Sequence, residues 1–292
     1  MRIPMAAFAV AVLGATLAAC GGRSSSHASI QNKGSDTLVN VAQAWAERYR
    51  EVNPRVAVSV TGGGSGTGIS ALINGTVDIA NSSRKMKDSE IQQARAKGIE
   101  PVEFVVGHDA LAVYVHRDNP LESITLAQLA EIYGEGGKSG KWQDLGVTVP
   151  GAQDGKIVLV SRQNNSGTYE YFKEAVLGKR EYRLGTLDMQ GSKDVVDLVA
   201  KTPGAIGYSG LAYDNPQVKI LKVSSGEGKP AVQPTEATAL DLSYPIARPL
   251  FMYTGGKPTG EIGAYLEWIL SDAGQRIIQE KGYSPVRPLG GK

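Results

Sequence analysis

Three short segments rich in glycine, serine and threonine stand where predicted helices begin, and their composition is typical of sites that bind anions. They are residues 33–38 (KGSDTL), 56–69 (VAVSVTGGGSGTGI) and 158–168 (VLVSRQNNSGT). The first turn of a helix exposes unpaired backbone N–H groups and a partial positive charge. Glycine lets the backbone approach a ligand closely, and serine and threonine hydroxyls add donors. Ordinary helix capping would explain one such segment, whereas three together predict an oxyanion site.

Two arginines lie near these segments and can supply positive charge. Arg162 precedes Ser166 by four residues, and its planar guanidinium suits binding of two oxygens of an oxyanion at once. Arg84 follows a short predicted strand at residues 77–80. It is either a second cation of the site or a solvated surface residue. We therefore expect Arg162 to contact the anion, with Arg84 as the candidate for a second contact.

The sequence lacks the patterns that would indicate an enzyme. Residues 63–68 have the outer glycine spacing of a nucleotide-binding P-loop, but Ile69 stands where that motif requires lysine. Neither a G-x-S-x-G nucleophile elbow nor an H-E-x-x-H metal motif occurs. A secreted phosphatase-like enzyme is therefore the weaker alternative to a binding protein. We expect no catalytic residue, no metal and no cofactor.

Short β-branched runs alternate with segments of helical periodicity over most of the chain. Strands are predicted at residues 55–60, 77–80, 101–106, 110–115, 157–160, 205–208 (at a sheet edge), 218–223 and 250–253. Helices are predicted at residues 38–49, from 69, and at 89–97, 124–133, 168–177, 192–201 and 262–270, the last as the closing helix, with a loop at 226–238.

This alternation predicts an α/β fold with mostly parallel sheets. Ligands of such sheets bind beyond the carboxyl ends of the strands, and clefts between domains are preferred sites. Because each half of the chain carries a candidate anion-binding segment, we expect two lobes with the ligand cleft between them.

The N-terminus has the features of a bacterial lipoprotein. Residues 1–19 combine Arg2 with an apolar stretch too short to span a membrane, which predicts a signal peptide. The sequence LAAC ending at Cys20 resembles a lipobox, which implies cleavage before Cys20 and lipidation of its thiol. Residues 20–29 then form a polar tether, and the folded part is expected from about Ile30. The alternative is a plain signal peptide with an incidental cysteine.

The composition limits the possible partners. There are 31 Lys and Arg residues against 29 Asp and Glu in the 292 residues, a net charge of +2. This balance argues against a nucleic-acid-binding protein, which carries a basic patch or run. Cys20 is the only cysteine, so one chain has neither a disulfide nor a multi-cysteine metal site.

The order of several motifs resembles that of the phosphate-binding proteins of phosphate ABC importers. The resemblance covers the chain from Gly34 to the C-terminal helix, and its motifs are residues 34–37 (GSDT), 61–68 (TGGGSGTG), 76–84 (TVDIANSSR), 161–168 (SRQNNSGT) and 243–250 (SYPIARPL). It implies a type II periplasmic-binding-protein fold, with two α/β lobes joined by two crossover strands. Lobe 1 would comprise residues 30–112 and 244–292, and lobe 2 residues 113–243.

The same resemblance implies the function. The protein would be a monomeric solute-binding lipoprotein on the periplasmic or extracellular face of a bacterial membrane. It would capture inorganic phosphate and deliver it to the permease subunits of an ABC importer.

By position in the motifs, the resemblance also implies which residues contact phosphate. They are Thr37, Leu38 through its amide, Ser65, Arg162, Ser166, Gly167 and Thr168. Ser83 and Asn164 stand where some family members have aspartate. They can still accept a hydrogen bond but carry no negative charge, so sulfate or a small organic phosphate stays open as the ligand. Three carboxylates are candidates to replace the missing charge: Asp36, Asp78 and Asp109.

Overall fold

The computed structural model describes residues 28–290, in which strands and helices alternate along the chain. The predicted signal peptide, Cys20 and tether residues 20–27 lie outside this range. The first strand begins at Ala28, so the last two residues assigned to the tether belong to the sheet.

Eleven strands and nine α-helices form the described part of the chain. The strands are β1 (Ala28–Gly34), β2 (Val56–Thr61), β3 (Ile79–Ser82), β4 (Val102–His116), β5 (Ser123–Thr125), β6 (Val158–Arg162), β7 (Leu187–Met189), β8 (Ala205–Gly210), β9 (Val218–Ser224), β10 (Ala231–Val232) and β11 (Ala247–Thr254). The helices are α1 (Val39–Val52), α2 (Ser65–Ile73), α3 (Asp88–Ala96), α4 (Leu126–Tyr133), α5 (Gly167–Ala175), α6 (Ser192–Lys201), α7 (Glu236–Leu240), α8 (Gly260–Leu270) and α9 (Asp272–Glu280).

The sheet order is β2-β1-β3-β11-β4-β8-β6-β7, with β9 beside β4 and in turn paired with β5 and β10. Strands β1 and β6 each lie between two parallel neighbours, whereas β4 and β11 run antiparallel to each other. The sheets are therefore mixed rather than mostly parallel as predicted. Strand β8 is central and buried along its whole length, not at an edge.

Strands β4 and β11 pass from one hydrophobic core to another. Val106 on β4 and Leu250 on β11 belong to a core that contains Trp45 and Tyr265. Further along β4, Val113 belongs to a second core around Trp142 and Phe172, and Ala247 of β11 packs against that second core. We refer to β1–β3 with α1–α3, α8 and α9 as lobe 1, and to β5–β10 with α4–α7 as lobe 2. Strands β4 and β11 are the crossover strands; the residue boundaries of the lobes stay a prediction.

Three further differences from the sequence prediction concern local structure. The segments predicted as two strands before and after His108 form the single strand β4. A further helix, α9, follows α8, so α8 does not close the fold. The predicted loop at 226–238 contains β10 and the start of α7. No helix among residues 28–290 is both long enough and apolar enough to cross a membrane.

One close approach places helix α2 against strand β1. A Cβ atom added at Gly68 would lie 2.4 Å from the Lys33 carbonyl oxygen and 2.6 Å from the Gly34 Cα. Only glycine allows this contact between helix and strand, because real Cβ atoms do not approach backbone atoms so closely. Gly68 thereby brings the start of α2 beside the end of β1, where two of the predicted anion-binding segments meet.

Candidate oxyanion-binding site

Three serine hydroxyls from the ends of different lobe 1 strands meet at a buried point. Ser35 follows β1, Ser65 begins α2 after β2, and Ser83 follows β3. The Ser35 hydroxyl donates to the Ser83 Oγ at 3.0 Å, and the Ser83 amide donates to the Ser65 Oγ at 3.1 Å. All three residues are buried. The carboxyl ends of the strands thus carry a compact group of hydroxyls, as expected for ligand sites in such sheets.

The turn that begins α1 adds Thr37 and Leu38 to this group. Both residues are buried, and the Leu38 amide donates to the Ser35 carbonyl oxygen at 3.1 Å. The carbonyl oxygen of Thr37 accepts hydrogen bonds from the hydroxyls of Tyr213, at 3.4 Å, and Tyr283. These bonds fix the turn, so that the Thr37 hydroxyl points toward lobe 2.

Lobe 2 contributes the start of α5 from the opposite side. Ser166 caps this helix by accepting the Thr168 amide at 3.1 Å. The Thr168 Oγ1 lies 2.9 Å from the Thr37 Oγ1, which joins the two lobes through their hydroxyls. The lobes are also close at Gly167, where an added Cβ would lie 2.3 Å from the Ser65 Oγ. Two helix starts from different lobes, α2 and α5, therefore adjoin one buried group of hydroxyls.

Arg162 ends strand β6 and is fully buried. Its Nη1 donates to the Ser192 Oγ at 2.9 Å, and its Nη2 donates to the Gln190 carbonyl oxygen at 2.8 Å and to the Asp36 carboxylate at 3.0 Å. Burial lowers the pKa of Arg162, and the neighbouring Asp36 carboxylate opposes that shift. The ion pair between Arg162 and Asp36 links lobe 2 to the turn before α1 in lobe 1, which contains Thr37.

Two residues predicted for the site lie outside the buried group. The Arg84 guanidinium forms two hydrogen bonds with Glu90, at 2.7 and 2.8 Å, and a third with the Lys85 carbonyl oxygen. None of these partners belongs to the buried group of hydroxyls, so we now predict that Arg84 does not contact the anion. Asn164 is exposed, because the turn before α5 directs residues 163–165 outward, so we now predict that it does not contact the anion either.

A buried arginine that the sequence analysis did not assign lies next to this group. Arg248 on β11 is 1% exposed and pairs with Asp109 on β4, which is equally buried. The Arg248 Nη2 donates to the Thr168 Oγ1 at 3.0 Å. The signal was present in residues 243–250, whose order matched the family, but no spacing in the sequence relates Arg248 to Asp109. Burial raises the pKa of Asp109, and the positive charge of Arg248 opposes that shift.

The three carboxylates proposed to replace the missing aspartate have different environments. Asp78 accepts the Gln31 amide at 2.7 Å in an exposed position. Asp36 and Asp109 each pair with a buried arginine. Two carboxylates, each compensated by an arginine, therefore stand beside the site although Ser83 and Asn164 carry no charge.

Asn165 makes a second contact between the lobes, away from the hydroxyls. Its carbonyl oxygen accepts the Gly66 amide at 2.9 Å, and its side-chain amide donates to the Gly63 carbonyl oxygen at 3.0 Å. A Cβ at Gly64 would lie 2.7 Å from the Asn165 carbonyl oxygen, and Gly64 has a φ of 91°, in the region that favours glycine. The glycine-rich loop therefore serves contact between the lobes.

Comparisons with known proteins agree with this architecture. The sequence model of a protein family, described as a PBP superfamily domain, matches residues 21–273. The phosphate-binding protein PstS of Pseudomonas aeruginosa is 36% identical over 292 aligned positions, which cover 96% of this chain and 90% of that protein. The chain therefore belongs to the PBP superfamily and, within it, to the PstS-like family.

Solved structures show the same fold. A proposed phosphate ABC transporter substrate-binding protein from Clostridium perfringens, solved with bound phosphate, superposes with a TM-score of 0.77 at 29% identity, covering 89% of this chain and all (100%) of that one. An ABC-type phosphate transport receptor from Vibrio cholerae gives a TM-score of 0.69 at 27% identity, with coverage of 89% and 100%. The family and the type II two-lobed fold predicted from the motifs are confirmed.

Proposed function

We propose that this protein captures inorganic phosphate between its two lobes and delivers it to an ABC importer. The observation that carries the proposal is the meeting of two hydroxyl-bearing helix starts from opposite lobes, with the Thr37 and Thr168 hydroxyls 2.9 Å apart. Helix starts favour negative charge, and a ligand held there contacts both lobes. The relatives from Pseudomonas, Clostridium and Vibrio, whose names state phosphate binding or transport, support the choice of ligand.

In this proposal each group of the site has a separate role. The amides at the starts of α2 and α5 that Asn165 and Ser166 leave unengaged are donors, and the Leu38 amide becomes one when it exchanges the Ser35 carbonyl oxygen for the anion. The hydroxyls of the site add further donors: Thr37, Ser65, Ser83, Ser166 and Thr168. Gly167 lets the start of α5 approach the ligand without a side chain. Arg162 supplies positive charge. Enclosing an anion removes its water, so nearly every oxygen needs such a donor.

Binding in this scheme involves no covalent chemistry. The lobes close around the anion by rotation about β4 and β11, as two-lobed binding proteins do. The closed form then docks on a permease, which releases the ligand. We further propose that the protein acts as a monomer, held by lipid on Cys20 at the periplasmic or extracellular face of a bacterial membrane, where one lipid group leaves the folded domain free of the bilayer.

Calorimetric titration of the purified protein with phosphate, sulfate and a phosphomonoester tests this function, after unfolding and refolding to remove bound anion. We expect phosphate to bind and sulfate to bind at least about 100-fold more weakly, ~2.7 kcal/mol, because the Asp36 and Asp109 carboxylates can accept a hydrogen bond from the proton that phosphate carries and sulfate lacks. Comparable affinity for sulfate would make the protein a general oxyanion binder. Binding heat with the phosphomonoester and not with phosphate would identify an organic phosphate as the ligand. The absence of binding heat with phosphate would contradict the proposal.

The contacts of Arg84 with Glu90 and Lys85 lead to a separate prediction. Replacing Arg84 and Glu90 together by glutamine should leave the phosphate affinity within about threefold of wild type, since ~0.6 kcal/mol is within the effect of a distant substitution. The pair is held within lobe 1 at 2.7 Å, so its neutralisation removes no proposed donor. The same titration measures the effect; a loss above about tenfold would return Arg84 to the site.

A further inference from the structure

Arg248 and Asp109 form a buried ion pair across the two crossover strands. They are direct partners in the register of β11 and β4. The Arg248 Nε and Nη2 donate to the same carboxylate oxygen of Asp109, at 3.1 and 2.8 Å. Because both crossover strands run through both lobes, this pair lies at the junction about which the lobes rotate.

The remaining donors of Arg248 reach the phosphate site from that junction. Its Nη1 donates to the Ser83 carbonyl oxygen of lobe 1 at 3.2 Å, and its Nη2 to the Thr168 Oγ1 of lobe 2 at 3.0 Å. The Thr37 Oγ1 is 3.5 Å from the same Nη2. The guanidinium therefore contacts three residues that the proposed function places around the ligand.

A count of donors shows that Arg248 can still bind an anion. A guanidinium has five N–H groups, and the contacts to Asp109, Thr168 and Ser83 engage four of them. One N–H of Nη1, the nitrogen that also donates to the Ser83 carbonyl oxygen, has no acceptor among the described residues. Arg162, through Met189, Ser192, Asp36 and Gln190, likewise engages four and keeps one on its own Nη1. Each arginine thus keeps one N–H group for a ligand, and Arg248 is the one whose guanidinium contacts hydroxyls of the site.

We propose that Arg248 is a second phosphate-binding arginine and that Asp109 positions its guanidinium. This inference rests on the proposed function. Arg162 belongs to lobe 2 and moves with it, whereas Arg248 stands on a strand common to both lobes. Arg248 therefore keeps its place when the lobes rotate, and donates to a ligand that each lobe approaches from its own side.

The test compares neutral replacements of two ion pairs by phosphate calorimetry. The variant Arg248→Gln with Asp109→Asn removes both charges together, so no unpaired charge is left buried. We expect its affinity to fall about 30-fold, the loss typical of a hydrogen bond to a charged group. Its unfolding temperature should stay within about 5 °C of wild type. The control is the Arg84→Gln, Glu90→Gln variant, which neutralises a partly buried ion pair of lobe 1 and should bind as wild type does.

Single replacements separate the roles of the two residues. Asp109→Asn should bind phosphate within about threefold of wild type, because the amide oxygen still accepts a hydrogen bond from Arg248. Asp109→Ala has no acceptor for the Arg248 guanidinium, so its phosphate affinity should fall about tenfold. Equal losses in these two variants would overturn the positioning role of Asp109. If the double variant does not fold, Arg248→Lys keeps the buried charge without the planar fork, and about tenfold weaker binding is expected.

The possible outcomes distinguish this inference from the proposed function. Wild-type protein that gives no heat with phosphate contradicts the proposed function itself. If wild-type protein binds phosphate and the Arg248→Gln, Asp109→Asn variant binds it equally well, only the inference is overturned and the pair is a structural contact. If the double variant does not fold, unchanged affinity in Arg248→Lys leads to the same conclusion.

Discussion

Replacing Arg162 by glutamine is expected to weaken phosphate binding by about 100-fold or more while the protein stays folded, a change of ~2.7 kcal/mol. Two effects act in the same direction. The variant loses a positive charge and the N–H group that stays available on Nη1. It also removes the ion-pair partner of the Asp36 carboxylate, which lies 3.0 Å from Arg162 in the wild-type protein, so the unpaired carboxylate repels the anion. Calorimetry measures the loss, and urea unfolding checks the fold.

Two further variants identify the source of that effect. Adding Asp36→Asn to Arg162→Gln removes the repulsion and should restore part of the affinity. Arg183→Gln is the matched control, since Arg183 also donates to backbone carbonyl oxygens of lobe 2, including that of Ser139 at 2.6 Å, but none of its contacts involve the site. If Arg162→Gln binds phosphate within about threefold of wild type, Arg162 does not belong to the site.

Replacing Gly167 by alanine is expected to block closure of the lobes and to reduce phosphate affinity by about 100-fold or more. The added Cβ would lie 2.3 Å from the Ser65 Oγ, 2.7 Å from the Ser83 Oγ and 2.9 Å from the Ser65 Cβ. Rotation of the serine hydroxyls can relieve the first two contacts but not the third, so lobe 2 must stay further from lobe 1.

The fold of this variant should be unharmed, because alanine is a better helix former than glycine by about 1 kcal/mol, and Gly167 begins α5. Small-angle scattering with and without phosphate measures closure directly. We expect wild type to become more compact with phosphate and Gly167→Ala to stay unchanged. The control is Gly256→Ala, whose Cβ meets nothing within 4 Å. A Gly167→Ala protein that compacts and binds normally would rule out this account of closure.

The sequence predicted those parts of the site whose residues are neighbours along the chain. Helix starts with their serine and threonine residues are local patterns, and a signal within one segment can be read without knowing the fold. Asp109 and Arg248 are 139 positions apart in the sequence, and their pairing depends on the register of two strands. No local sequence pattern encodes that register.

The features that the sequence did not reveal have the same origin. Arg84 carries the right charge at the right distance from Ser83, but the partner that occupies it, Glu90, becomes its neighbour only when α3 forms. The segment predicted at residues 205–208 covers only part of β8, and the pairing of β8 with β4 and β6 makes it central. The direction of β4 and β11 likewise follows from long-range pairing, so a parallel sheet was the wrong expectation.

The contact at Asn165 has a consequence for how affinity and selectivity evolve. Its hydrogen bonds to Gly63 and Gly66 form whenever the lobes are closed, and none of them involves a residue assigned to the ligand. Such a contact stabilises every closed complex by the same amount, so it cancels when the affinities of two anions are compared. Substitutions in this loop can therefore adjust how tightly and for how long the protein retains its cargo, while the choice of cargo is left to the hydroxyls and arginines.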